Sequence, residues 1–160
     1  ICVTPLRGLT ARRAWLTLPS ERSNAMSQTM TGGCLCGAVR YEVSGAPAAQ
    51  MVCHCSHCQK QSGSAFSPIM GVVQDQVAIT GELASYADAG ESGKAVNRKF
   101  CPRCGSPICS EVEVAPGMVW IKIGTLDDPA AFSPQVHIWT RSKQGWVETG
   151  AVPAFETNPG

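Results

Sequence analysis

Charge is scarce in this 160-residue sequence: Asp, Glu, Lys and Arg make up 16%, and 13 basic against 12 acidic side chains leave a formal charge of +1. That balance leaves no electrostatic footprint for nucleic acid. With 44% apolar residues the chain reads as globular and not disordered. No apolar run approaches the length of a membrane span. Nor is there a helical-period window of useful length, or an internal repeat. The expected class is therefore mainly β, in one domain. Ala14-Trp15-Leu16 is too short for the apolar core of a secretory signal. The usual herald of a disulfide-stapled secreted domain is missing with it.

Cysteine is what the chain has in plenty, with nine. Cys34 and Cys36 form a C-x-C, Cys101 and Cys104 a C-x-x-C, and Cys53, Cys55 and Cys58 a cluster within six residues. Thiols this close repel as thiolates unless a cation sits among them, and Zn²⁺ is the usual cation. Closely spaced thiols also bridge one another only with strain, so the pattern favours metal over disulfides. A reducing, cytoplasmic setting is the expectation that follows.

The two outer pairs each sit at a glycine-bearing turn, with Gly32, Gly33 and Gly37 around the first and Gly105 after the second, and together supply four sulfurs, the complement of a closed tetrahedral zinc site. Cys101-Pro102-Arg103-Cys104 has a redox reading too, but the βαβ context that reading needs is not apparent. The triplet is one donor short. Either its fourth position is open to water or a thiol, or His54 or His57 closes it. The open form is favoured, because both histidines adjoin ligand cysteines, where chelating the same ion is strained; they suit support of a sulfur or acid–base work better. An exogenous thiol is a natural fourth ligand, and a zinc-activated thiolate can attack a small aldehyde. Cys109 reads as a buried, inert thiol and His137 as structural. Arg98, Lys60 and Arg103 default to solvated surface charge.

Residues 1–25 differ from the rest, carrying Arg7, Arg12, Arg13 and Arg22 against Glu21 alone and leaving nine basic and eleven acidic residues beyond. Ser23-Asn24-Ala25 before Met26 resembles a tag scar. Domain boundaries are accordingly expected at 1–25 for a leader, with Cys2 set aside, and 26–160 for the zinc-binding domain. Within it, strands are expected over 38–43, 49–53, 65–73 (with Pro68 marking an edge or bulge), 77–80, 83–86, 95–100, 107–114, 118–123 and 135–140. One helical turn is expected over 56–62, ahead of Gly63.

Gly33-Cys34-Leu35-Cys36-Gly37, Cys53-His54-Cys55-Ser56-His57-Cys58, Arg98-Lys99-Phe100-Cys101-Pro102-Arg103-Cys104-Gly105, Gly124-Thr125-Leu126-Asp127 and His137-Ile138-Trp139 occur in this order. The set resembles the glutathione-dependent formaldehyde-activating enzyme family, which includes centromere protein V-like domains. The resemblance implies a β-tent of small antiparallel sheets with zinc-binding knuckles and two zinc ions per chain. It implies a structural zinc on Cys34, Cys36, Cys101 and Cys104, and a catalytic zinc on Cys53, Cys55 and Cys58. It further implies a carbon–sulfur lyase joining glutathione or another small thiol to formaldehyde or a related aldehyde, as in S-hydroxymethylglutathione synthesis. No nucleic acid or membrane partner is implied. Gln59 and Lys60 stand where the family often has arginine, which removes a bidentate fork and leaves the identity of the thiol open. A zinc-stabilised binding module or thiol carrier without turnover is the alternative.

Overall fold

A computed structural model describes residues 29–159. Cys2 and the expected boundary at Met26 lie outside the described residues. Among the described residues ten strands form two sheets. β1 (Thr29–Gly33), β2 (Arg40–Ser44) and β5 (Val77–Thr80) make a three-stranded antiparallel sheet in the order β1-β2-β5. β3 (Ala49–Cys53), β4 (Ser67–Val73), β6 (Ala84–Asp88), β7 (Val96–Phe100), β8 (Pro107–Val112), β9 (Met118–Lys122) and β10 (Val136–Ile138) make the larger one, ordered β10-β3-β4-β9-β8-β7-β6. The mainly β reading holds, with one departure from antiparallel pairing between the described strands: β10 runs parallel to β3. No described helix is long and apolar enough to cross a membrane.

Period-two alternation decides what each sheet face does. Val39, Tyr41 and Val43 are buried together, as their spacing predicts. They pack on Met70 and Val72 of β4, Cys109 of β8, and Val119 and Ile121 of β9. The intervening residues point the other way: Ile69 of β4 and the partly buried Trp120 of β9 belong to a second cluster around Cys53, Cys55 and Cys58. One face of the large sheet thus carries the main core, and the other carries the site.

Three local expectations change. Gly32 and Gly33 do not form a turn but end β1, where a side chain has no room. A Cβ on Gly32 would lie 2.3 Å from the Tyr41 hydroxyl and 2.4 Å from the Thr125 carbonyl oxygen. The turn itself falls at Gly37, with φ of 76°. Pro68 lies in a central strand and not at a sheet edge. Pairing of β4 with β9 begins only at Ile69, however, so Pro68 has a cross-strand partner, Val52, on one side alone. The strand expected over 135–140 stops at Ile138, because Trp139 adopts a left-handed backbone with φ of 60°. The tail then returns beside β10, with Phe155 N–H donating to His137 O at 2.9 Å and Trp139 Nε1 donating to Asn158 Oδ1 at 2.8 Å.

Candidate functional site

Seven of the described cysteines gather into two groups, Cys34/Cys36/Cys101/Cys104 and Cys53/Cys55/Cys58, with the sulfurs of each lying within 4.8 Å of one another. In the first group two tight turns face each other. One is closed by Gly37 N–H to Cys34 O and the other by Gly105 N–H to Cys101 O. Leu35 N–H donates to Ser106 Oγ at 3.1 Å, joining the turns directly. Sulfur separations are 3.5 Å for Cys34–Cys36 and 3.8 Å for Cys36–Cys101. A tetrahedron of Zn–S bonds has S···S edges of about 3.8 Å, so this donor set fits zinc. The Val39 N–H, donating to Cys34 Sγ at 3.2 Å, suits a sulfur that carries charge.

The triplet is assembled by the end of β3 and by helix α1 (Ser56–Ser62). Cys53 closes the strand, Cys55 is the N-cap residue, and Cys58 is the buried position of the helix. Cys58 N–H donates to Cys55 Sγ at 3.2 Å, and Gly63, at φ of 61°, ends the helix. All three side chains are buried. Hydrogen bonding to Cys55 and Cys58, then burial, pushes the Cys53 thiol up, while bonds from Cys53 and Cys55 bring Cys58 down to about 2. Three sulfurs this close and this buried do not all hold a charge unaided. A soft divalent cation is the partner such a set fits.

Neither neighbouring histidine joins the sulfurs. His54 is fully buried and turned to the far side, its Nε2 2.8 Å from Nδ1 of His137, and the two rings are stacked. Burial, with the charges of His137 and Lys143, holds the His54 imidazole down to about 4. His137 is buried with it and does not join the sulfurs either. His57 Nδ1 lies 2.9 Å from Asp88 Oδ2, and Asp88 also takes Arg98 Nε at 2.7 Å. Arg98 is thus buried and not a surface charge as expected, because its carboxylate partner is buried with it. Lys60 and Arg103 are exposed. Gln59, in place of a cation, donates to the carbonyls of His54 at 2.6 Å and Ser142 at 2.8 Å. Cys109 is buried as expected, and that burial pushes its thiol up to about 11.

A cavity of about 260 Å³ opens onto the triplet. Its floor is the second face of the large sheet, including Met51, Ile69, Trp120, Ser110, Arg98 and Lys122, and its rim includes residues 90–92 and 94–95, Trp139 and Asn158. Glu91 fixes the rim by accepting from Ser56 N–H at 2.7 Å and Ser142 Oγ at 2.8 Å. Sequence reasoning missed Ser110, Trp120, Lys122 and Glu91. For Lys122 a signal existed: a lone cation inside the apolar run Met118-Val119-Trp120-Ile121-Lys122-Ile123.

Residues 29–142 match the family profile described as glutathione-dependent formaldehyde-activating enzyme. A Penicillium rubens protein named "Putative glutathione-dependent formaldehyde-activating enzyme" is 29% identical over 127 residues, spanning 76% of this chain. The alignment covers 60% of that relative's length. A solved structure of a Rhodobacter sphaeroides protein is similar with a TM-score of 0.49 at 19% identity, covering 78% of this chain and 99% of the other. The profile spans most of the chain and takes in both cysteine groups and the strands that carry them, so this chain belongs to the glutathione-dependent formaldehyde-activating enzyme family.

Proposed function

We propose that this protein joins a small thiol, glutathione or a relative of it, to formaldehyde or a related small aldehyde, in a zinc-dependent reaction of the carbon–sulfur lyase class. One observation carries the reading. Four cysteines complete a donor set among themselves, while the other three line a cavity with no fourth donor grouped with them among the described residues. Zinc held by Cys53, Cys55 and Cys58 would supply the Lewis acidity that lowers the pKa of an incoming thiol. Cys34, Cys36, Cys101 and Cys104 would hold a structural ion that joins the beginning of the domain to its later half.

The chain's own residues do the rest. Arg98 and Lys122 place positive charge beside the triplet, which favours an anionic sulfur there. Met51, Ile69, Ile138 and Trp139 give the cavity apolar walls that displace water and strengthen those interactions. In the reaction the thiol sulfur adds to the carbonyl carbon. The C=O π pair moves to oxygen, which takes up one proton for the one the thiol lost, and the product is a hemithioacetal. Thiols add to formaldehyde unaided, so the demand on the protein is chiefly to bind and orient. A reducing compartment such as the cytoplasm would keep the seven thiols available.

The test is metal analysis with glutathione titration of Co²⁺-substituted protein. Two ions per chain and a glutathione-dependent change in the Co²⁺ spectrum are expected. One ion per chain, or no response to thiol, would sink the reading in favour of a zinc-stabilised binding module.

A further inference from the structure

Ser110 and Trp120 sit directly opposite each other on β8 and β9. Both side chains line the cavity, and both Ser110 Oγ and Trp120 Nε1 are shielded from solvent with no hydrogen-bond partner among the described residues. Ser110 is 5% exposed. Two orphaned donors on facing strand positions are unusual, because buried polar groups are nearly always paired. The indole cannot turn aside easily. It lies across Gly71 of β4, where an added Cβ would come within 2.9 Å of the ring.

Lys122 stands two residues beyond Trp120, on the same face of β9 and the same cavity. Its ammonium is buried and donates one bond, to Ser67 Oγ at 3.1 Å. The cavity's other charged side chains each have an ionic partner: Lys94 with Glu113, Arg98 with Asp88, and Glu91 with Arg141. Lys122 has no carboxylate partner among the described residues. The thiolate triplet balances part of its charge, but charge balance gives no reason for a hydroxyl and an indole N–H to be left unpaired beside it.

We propose that Ser110, Trp120 and Lys122 form a carboxylate-binding site on the cavity floor, and that one of the two reactants is a small carboxylic acid. A carboxylate is an acceptor-only group with a charge, and it answers two neutral donors and one unpaired cation at once. The cavity, at about 260 Å³, is smaller than those that enclose drug-sized ligands. It suits a compact acid or one arm of a larger thiol. The identification of this acid as a reactant rests on the function proposed above; the site itself does not.

The experiment is ¹⁵N NMR of the zinc-loaded full chain, with the Trp120 indole N–H assigned through Trp120→Phe. Propionate should move that signal downfield, and propanol should leave it in place. Ser110→Ala and Trp120→Phe should each weaken propionate binding by about tenfold, read by calorimetry, as expected for one bond to a charged group. No movement of the indole signal, or unchanged affinity in both variants, overturns the site. Two further arms give the source of the carboxylate. Tighter binding of 3-mercaptopropionate than of propionate assigns it to the thiol. Tighter binding of glyoxylate than of propionate, with 2-mercaptoethanol present, assigns it to the aldehyde. Equal affinities throughout would show a carboxylate site unconnected with either reactant, and so overturn the second half of the proposal. Propionate binding in a protein that turns over no thiol–aldehyde pair would leave the site standing and remove the proposed reaction.

Discussion

Arg98 and Asp88 form a buried ion pair across β7 and β6, with Nε 2.7 Å from Oδ2. The same carboxylate takes His57 Nδ1 at 2.9 Å, so one acidic side chain joins the edge of the large sheet to the helix that carries Cys58. Arg98 also lies against Cys58. Position of the triplet and charge at its side therefore depend on a residue outside the cysteine motif.

Asp88→Asn should destabilise the fold by about 3 kcal/mol, because it leaves the Arg98 guanidinium buried without its counter-ion. Chemical denaturation at pH 7 checks this. Burial alone would raise the Asp88 pKa, but the bonds from His57 and Arg98 hold it down to about 2. A carboxylate with a depressed folded pKa contributes stability above its unfolded value near 4. That contribution drains as pH falls toward 2. The gap between wild type and Asp88→Asn should thus be full at pH 5 and narrow steadily below pH 4. A gap that stays constant across that range would show that the ion pair is not its source.

The two cysteine groups should fail in different ways. Cys101→Ser removes a sulfur that joins two distant stretches of chain, so it should lower metal content and unfold the domain at moderate temperature. Cys55→Ser leaves that closure intact. It should keep the circular dichroism of the wild type while losing the thiol-dependent response of the Co²⁺-substituted protein. Equal loss of fold in both variants would make the triplet a structural site.

The grouping of those cysteines was legible because it rests on spacing alone: a C-x-C, a C-x-x-C and a three-cysteine cluster each have few ways to converge. Strands such as Arg40–Ser44 were legible for the same reason, since period two is a local property. Arg98, Ser110, Trp120 and Lys122 were not. Ser110, Trp120 and Lys122 sit on strands that also carry core residues, and which side faces a cavity is set by the packing of the second sheet against Met70, Val72, Val119 and Ile121. Arg98 is the buried position of a strand that contributes nothing to the core, and its burial depends on Asp88 of the neighbouring strand. Gly32 shows the same limit in the backbone. Its role as the neighbour of Tyr41 and Thr125 depends on a contact 93 residues along the chain, where the sequence suggests only a turn.

Gly32→Ala should accordingly cost stability out of proportion to one methyl group. The new Cβ meets the Tyr41 hydroxyl and a backbone carbonyl, and a carbonyl cannot swing aside as a flexible side chain would. Relief requires moving Tyr41 and breaking its 2.9 Å bond to Thr125 Oγ1. Overpacking of this kind costs about 1–3 kcal/mol, and the upper end is expected here. Gly37→Ala provides the contrast. A Cβ there meets nothing within 4 Å, so its cost should come from the left-handed backbone alone, at about 1 kcal/mol. Thermal melts of the two variants should rank them in that order.

Glu91 offers the sharpest test of what holds the cavity rim. Its Oε2 accepts from both the backbone N–H and the hydroxyl of Ser56, at 2.7 and 3.0 Å, and its Oε1 accepts from Ser142 Oγ at 2.8 Å and Arg141 at 3.3 Å. All of these atoms can donate, so the side chain works as an acceptor on both oxygens. Glu91→Gln keeps the shape but turns one oxygen into an N–H₂ that faces donors. Whichever way the amide lies, one obligate donor loses its acceptor, although a serine hydroxyl can turn to accept from the N–H₂. If the amide oxygen keeps the Ser56 N–H, the Arg141 guanidinium faces the N–H₂, its bond goes, and residues 90–95 are held less firmly to the turn beside Trp139. If it keeps Arg141, the Ser56 backbone N–H is left without its acceptor and the first turn of α1 is released. A hydrogen bond to a charged group is worth about 1.5–3 kcal/mol, so local opening at the rim should become roughly tenfold more frequent. Amide hydrogen exchange at Ser56 and at residues 90–95 reads this directly, while exchange at the buried strand positions Val72 and Ile121 should not change. Uniform acceleration at all of these sites would mean that Glu91 supports global stability and does not hold the rim in particular.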